Sequence, residues 1–216
     1  HNLQALIWVV SADNLAGEVG KGHKVAFNVL NFGGFKLGAM CSGGAQGAIG
    51  ESARYAAERK QFGQPIAAFG AIRHKRGEMV VRTYAIESLV YRTAGMIDAH
   101  IKHTTENPAN PSATLAALEE YAVEASIAKV AGSESLNYVL DENIQIHGGN
   151  GYVHDYPAER HFRDARVNRI FEGTNEINRL LIPGMLIRRA VKGDLGLIPA
   201  AKALQDELLG PPSMPS

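Results

Sequence analysis

In the stretch 170–178, IFEGTNEIN, the carboxylate of Glu172 stands between an aromatic ring and a Gly-Thr pair. Carboxylates avoid apolar neighbours unless something compensates them. Ile170 and Phe171 suggest a partly apolar setting, which favours the neutral acid and is one way a general base is tuned toward neutral pH. The dipole of a helix opening at Thr174 pulls the other way, toward the charged form. Glu176, inside the first turn of that helix, fills the helix-start role better. The residues alone leave open which pull prevails at Glu172.

Three further sets could do chemistry. ERKQFG (58–63) puts Arg59 and Lys60 where a helix ends, followed by Phe62. Cations there complement the helix dipole; a charged fork beside an aromatic ring also suits pyrophosphate and adenine. Both readings stand. IQIHGGNGY (144–152) carries Gly148, Gly149 and Gly151 after a helix. One glycine serves as a C-cap, and the others let backbone pass close to a bulky ligand. GGAQGAIG (43–50) lies mid-helix with no preceding strand, so it reads as small-residue helix packing rather than a phosphate loop. His100 and His103 form a pair with no further ligands nominated, so no metal site is expected. Cys41 reads as buried and inert. Arg160, Arg163, Arg166 and Arg169 recur every three residues and read as a solvated, salt-bridged face with Glu159, Asp164 and Glu172.

The elements that must position these residues are helical. ALIWVV (5–10) predicts one short strand, and GEVGKG (17–22) a turn. A long first helix follows over about 24–59, with Val25, Val29, Phe32, Leu37, Met40 and Gly44 as its stripe. Its interior glycines each cost about 1 kcal/mol relative to alanine, so close approach of another helix or a ligand should compensate. A second helix spans about 66–101, with Ile72, Met79, Ile86 and Thr93 at heptad spacing. A third starts near Ser112, a good N-cap, and runs to about His147. A short piece covers 157–163. A fourth core helix opens at Thr174, ends near Val191 and should kink at Pro183. Residues 199–209 form an appendage. The pattern predicts an all-α, up-down four-helix bundle with a short N-terminal β-strand.

The chain has 216 residues, 45% hydrophobic and 20% charged, enough for a sizeable core. Lys+Arg and Asp+Glu are equal at 22 each, so no net field favours nucleic acid. No apolar run is long enough for a transmembrane segment, and no signal peptide is recognisable. A single cysteine excludes an internal disulfide and fits a reducing compartment. The absent initiator Met and the Pro/Ser tail suggest a fragment of a longer protein.

The stretches LAGEVGKGHKVAFNVLN, ARYAAERKQFGQPIAAFGAI, AKVAGSESLNYVLDENIQIHGGNGY and YPAERHFRDARVNRIFEGTNEINRLLI occur in order over roughly residues 13–192. Together they resemble the C-terminal portion of an acyl-CoA dehydrogenase, most like bacterial relatives of the very-long-chain enzymes. The resemblance implies that residues 1–20 end a truncated β-domain, 21–192 form the catalytic four-helix bundle, and 193–216 begin a truncated helical extension. It implies FAD as cofactor, an acyl-CoA substrate, an electron-transfer flavoprotein as electron acceptor, and a homodimer or tetramer. A cytoplasmic bacterial enzyme is implied, with peripheral membrane attachment compatible with the longer protein.

By the same resemblance Glu172 matches the catalytic base of α,β-dehydrogenation, the step that opens fatty acid β-oxidation. Its backbone N–H, with a flavin ribityl hydroxyl, would bind the thioester carbonyl as an oxyanion hole does. Arg59 and Phe62 match contacts to the partner subunit's FAD, and Phe69 and Gly70 further FAD contacts. Gln145, Gly148 and Gly149 match the loop over the pyrophosphate and adenosine. Thr174 and Glu176 match FAD contacts, and Asn31 and Gly173 substrate contacts. Gly34 is a departure: the family usually has Arg there, beside the carboxylate and thioester. That loss of charge favours an alternative, a non-catalytic bundle used for assembly or dimer contact. An acyl-CoA oxidase would share the substrate chemistry. The 216 residues alone are expected to be inactive.

Overall fold

The computed structural model describes residues 11–15, 18–107 and 110–210. The predicted strand over 5–10 lies outside them. The helices are α1 (Gly22–Glu58), α2 (Gly70–Thr104), α3 (Pro111–Glu120), α4 (Ala122–His147), α5 (Ala158–Ala165), α6 (Asn175–Lys192) and α7 (Leu197–Leu209). Strands β1 (Lys60–Gln61) and β2 (Gln64–Pro65) pair antiparallel, Lys60 opposite Pro65 and Gln61 opposite Gln64. The four-helix, all-α architecture is as the periodicity predicts. No helix among the described residues is long and apolar enough to cross a membrane.

The core forms around α4, which packs against α1 most extensively and also against α2, α5 and α6. Leu37, Cys41, Ala45, Ala48 and Ala56 of α1 meet Met79 of α2 and Leu136, Val139, Leu140 and Ile146 of α4. The close crossing is made by glycines. A Cβ on Gly38 would sit 3.0 Å from the Ala128 Cβ and carbonyl, and one on Gly132 would sit 3.1 Å from the Gly38 Cα. Truncating Leu140 to Ala in this core should cost about 2–5 kcal/mol.

This crossing corrects the predicted α1 stripe. Val25, Val29, Phe32 and Met40 are exposed; Leu37 is buried as expected, and from it the buried line runs through Cys41, Ala45, Ala48, Ser52 and Ala56. Backbones that approach so closely leave room only for small side chains, so the larger residues turn outward. GGAQGAIG packs as expected only in part, through Ala45 and Ala48, which are buried in the core. A Cβ on Gly43 or Gly47 would meet nothing within 4 Å, whereas one on Gly44 would touch Leu136.

On α2 the heptad reading holds, with Met79, Ile86 and Thr93 buried. The Thr83 and Thr93 hydroxyls donate to the Met79 and Leu89 carbonyls at 2.8 and 2.9 Å, so neither buried oxygen lacks a partner. The predicted third helix is two. At Tyr121 (φ −96°, ψ 25°) the chain leaves helical geometry between α3 and α4. Its N-cap is Asn110 rather than Ser112, because Pro111 pre-sets the first helical φ and Asn110 Oδ1 accepts the Ser112 N–H at 3.0 Å. The short piece predicted at 157–163 is α5, prolonged by a 3-10 turn over Arg166–Arg169. Thr174 caps α6 as predicted, accepting the Ile177 N–H at 3.3 Å, and α6 runs on past Pro183.

Candidate active site and cofactor cavity

Among the described non-glycine residues, only Phe62 and Glu172 have left-handed backbones, φ +52° and +58°. That conformation costs L-residues about 1–2 kcal/mol and marks places where the fold imposes a geometry. The two residues define two regions, near opposite ends of α4.

At the first, Glu172 is followed by Gly173 at φ +75°. Two successive left-handed residues reverse the chain and aim the Glu172 side chain back onto α1. The carboxylate lies against Gly33: a Cβ there would be 2.6 Å from Glu172 Oε2. Oε2 is buried and has no hydrogen-bond partner. The loop carbonyls, by contrast, are engaged. Asn178 Nδ2 donates to the Glu172, Gly173 and Thr174 carbonyls at 3.4, 2.9 and 3.1 Å. Lys129 Nζ donates to the Gly173 carbonyl and to Asn175 Oδ1, both at 2.7 Å. Asn175 Nδ2 in turn donates to Ser133 Oγ and Glu134 Oε1, and Arg179 pairs with Glu134 Oε2 at 2.6 Å.

The electrostatics follow these contacts. Burial pushes Glu134 up, but hydrogen bonds from Arg179 and Asn175 and the Arg179 charge outweigh it and hold the carboxyl below its ordinary range. Glu176 is held low by its own backbone N–H and by Thr174, as suits a helix start. Burial drives the Cys41 thiol up to about 11 despite Lys129 and a hydrogen bond from Asn168, so it stays protonated and inert at neutral pH.

Gly33 and Lys129, together with the Asn175–Asn178 pair, were not singled out by sequence reasoning. The available signal for Lys129 was a lone cation in the apolar helical run ASIAKVAG. Gly34 does not face the carboxylate. A Cβ on it would make ordinary contacts with the Ala125 carbonyl at 3.5 Å and Lys129 Cβ at 3.7 Å. One helical residue turns the azimuth by about 100°, which is why the adjacent Gly33 takes the Glu172 side. Asn31 is half-buried on the same helix.

At the second region a cavity of about 450 Å³ gathers Arg59, Phe62, Phe69, His147, Gly148 and Gly149. Phe62 and Gly63, at φ +52° and +82°, form the turn between β1 and β2, with Phe62 91% exposed. Such a pair matches the twist of a two-residue hairpin. The Phe69 ring meets Phe62 edge-on at 6.1 Å. Gly148 has φ +59°, and added Cβ atoms on Gly148 and Gly149 would meet nothing within 4 Å, so the backbone is open to a ligand. Gly151 is different, because a Cβ there would strike the Ile144 carbonyl at 2.5 Å; its role is internal packing. Beneath the loop, His147 stacks on Tyr55 at 4.0 Å and its Nδ1 lies 2.8 Å from the Asn143 carbonyl.

The remaining expected positions fall outside that cavity. Gln145 is exposed and gives its carbonyl to the Gly148 N–H. Gly70 begins α2, and Thr174 and Glu176 open α6 beside the first region. Of the arginine face, Arg163 pairs with Glu159 at 3.7 Å.

The family described as "Acyl-CoA dehydrogenase, C-terminal domain" matches residues 20–186. A "Probable acyl-CoA dehydrogenase" of Bacillus subtilis (strain 168) is 47% identical over 201 residues, 93% of this chain and 34% of its own length. The mitochondrial very long-chain specific acyl-CoA dehydrogenase of Rattus norvegicus is 39% identical over 173 residues, 80% of this chain and 24% of its own. An acyl-CoA dehydrogenase from Bacillus anthracis, solved in complex with FAD, superposes with TM-score 0.88 at 49% identity, covering 94% of this chain and 35% of that one. The chain thus spans about a third or less of the length of these relatives.

Proposed function

This chain belongs to the acyl-CoA dehydrogenase family, and on that premise we propose that the whole protein desaturates a long-chain acyl-CoA thioester to the trans-2-enoyl-CoA, with Glu172 as base. The observation that carries the reading is the Glu172 carboxylate itself. A buried oxygen without a hydrogen-bond partner, on a strained backbone held by Lys129 and Asn178, is poised to accept a proton. Long-chain preference rests on the similarity to the very long-chain specific enzyme of Rattus norvegicus.

The residues of the cavity fit FAD. Arg59 offers a cation for pyrophosphate, Phe62 and Phe69 offer rings for adenine, and Gly148 and Gly149 offer unobstructed backbone. By the family's arrangement these five would hold the FAD of a neighbouring subunit, while Thr174 and Glu176 would meet the flavin beside Glu172. FAD, when bound, supplies the acceptor for the hydride that leaves the β-carbon, and an electron-transfer flavoprotein then takes the two electrons. Glu172 takes the α-proton on its free oxygen, and its backbone N–H faces the thioester carbonyl to stabilise enolate charge. Gly33, lacking a side chain, leaves the carboxylate its place on α1.

The test is Glu172→Gln in the full-length flavin-loaded enzyme. Dye-coupled turnover of a long-chain acyl-CoA should fall about 10²–10⁴-fold with flavin retained. Turnover within threefold of the parent would remove Glu172 from the role.

A further inference from the structure

Lys129 is fully buried at 0% exposure, and among the described residues it is the only lysine or arginine in the buried class. A buried ammonium needs compensation from hydrogen bonds and countercharge. Its hydrogen bonds go to the Gly173 carbonyl and the Asn175 side chain, the two groups that flank the start of α6. Among the described residues, the groups acting on its charge are Cys41 on α1, Glu134 on its own helix, Glu172 in the loop and Glu176 on α6, with none from α2 or α5. Cys41 is a neutral thiol at neutral pH. Glu134 is already paired to Arg179, and Glu176 stands exposed at a helix start. Glu172 is the remaining countercharge, and its buried oxygen has no hydrogen bond. On the far side, a Cβ on Gly34 would lie 3.7 Å from Lys129 Cβ, an ordinary contact.

We propose that Lys129 is a positioning residue for the reaction: its ammonium holds the Glu172–Gly173 reversal in place and supplies, from α4, a positive charge behind the carboxylate. The inference rests on Glu172 being the base. Two features separate it from simple structural support. One bond from Lys129 goes to the residue directly after Glu172 and the other to Asn175, where α6 opens, so both fall at the reversal rather than in a helix interior. The charge also sits in a dry site, where its effect on a neighbouring carboxylate is least screened. Burial lowers the Lys129 pKa, against the pull of Cys41, Glu176, Glu172 and Glu134. Its charge should therefore be lost at a lower pH than that of an exposed lysine, setting an upper limit to the active range.

The experiment compares Lys129→Met and Lys129→Gln with the parent and with Glu172→Gln, all as full-length flavin-loaded enzyme. Flavin content and visible spectrum report folding, and kcat and KM are followed against pH. The expected result is a kcat loss of about 10- to 100-fold with KM within about threefold, and an acidic limb of the kcat profile moved to higher pH, since a nearby cation favours a carboxylate. Lys129→Arg, which keeps the charge, should return the limb to its parental position. A Lys129→Met or Lys129→Gln profile that superposes on the parent's would overturn the proposal. So would a kcat loss with an unmoved limb, which would mark support of the fold alone. Retained turnover in Glu172→Gln would sink the base reading instead. Should both neutral variants fail to bind flavin, the Lys129→Arg profile decides: a limb displaced by one pH unit or more, with flavin bound, rejects the charge role.

Discussion

Glu172 and Phe62 share a left-handed backbone and little else. Glu172 sits in a loop whose carbonyls are bonded by Lys129 and Asn178, with its carboxylate pressed onto Gly33. Phe62 rides the tip of a two-stranded hairpin with its ring 91% exposed, touching Phe69 edge-on over an open cavity. Lys129 and His147, which mark the two regions on α4, are 18 residues apart, roughly 27 Å along the helix. Strain at Glu172 is held by contacts within the chain. Strain at Phe62 is met, among the described residues, by the β1–β2 pairing and the edge-on Phe69 contact, and the ring itself is left exposed. On the proposed function, the first region would handle the proton and the second would contribute to the cofactor site.

Alterations at the two regions should therefore separate by readout. The largest effect is expected from Gly33→Ala. The added Cβ would lie 2.6 Å from Glu172 Oε2, so the carboxylate must move. Displacement by about 1 Å should lower kcat of the full-length enzyme about 100-fold, with flavin binding and Tm nearly unchanged. An unaffected kcat would mean that the carboxylate works from another position. Next comes Phe62→Gly, which should act in the opposite sense. Removing the left-handed strain should stabilise the fold by about 1 kcal/mol, while loss of the ring weakens FAD retention by about 1–3 kcal/mol if adenine stacks there. Thermal melts with and without added FAD would show both, and unchanged FAD retention would break the comparison.

How much of this was legible in the sequence depends on what each residue had to signal. The Met79, Ile86 and Thr93 heptad was readable because large apolar residues carried it. Apart from Leu37, the α1 stripe was misread because Val25, Phe32 and Met40 look like core, while the other buried positions are small ones. The break at Tyr121 carries neither Gly nor Pro, so no local signal marked it. The E-G-T stretch identified Glu172, but which of two adjacent glycines faces it depends on helix azimuth, which spacing alone does not fix. Phe62 departs from the Asn-Gly pattern that announces a tight hairpin turn, so its conformation was hidden too.

Two smaller effects sharpen the same contrast. Asn178→Ala would leave three loop carbonyls without their shared donor. The expected cost is about 1–3 kcal/mol, seen as a lower denaturation midpoint together with a lower kcat, whereas an equal loss of stability at the hairpin should leave kcat alone. Glu134→Gln should do least. Its carboxyl is held below the ordinary range by Arg179 and Asn175. Its contribution is therefore present above the unfolded carboxylate pKa and is lost as pH falls through the lowered folded value. The exposed Arg179 partner keeps the gap between parent and variant small at neutral pH, and that gap should vanish in acid.

The central claim is that Glu172 removes the α-proton, and it can be tested without the hydride step. The full-length flavin-loaded enzyme is incubated in deuterium oxide with an acyl-CoA whose β-carbon carries no hydrogen, and deuterium entry at the α-carbon is followed by mass spectrometry. The account predicts wash-in by the parent and by flavin-loaded Phe62→Gly, and none above the no-enzyme rate with Glu172→Gln. Wash-in by Glu172→Gln at the parental rate would contradict it.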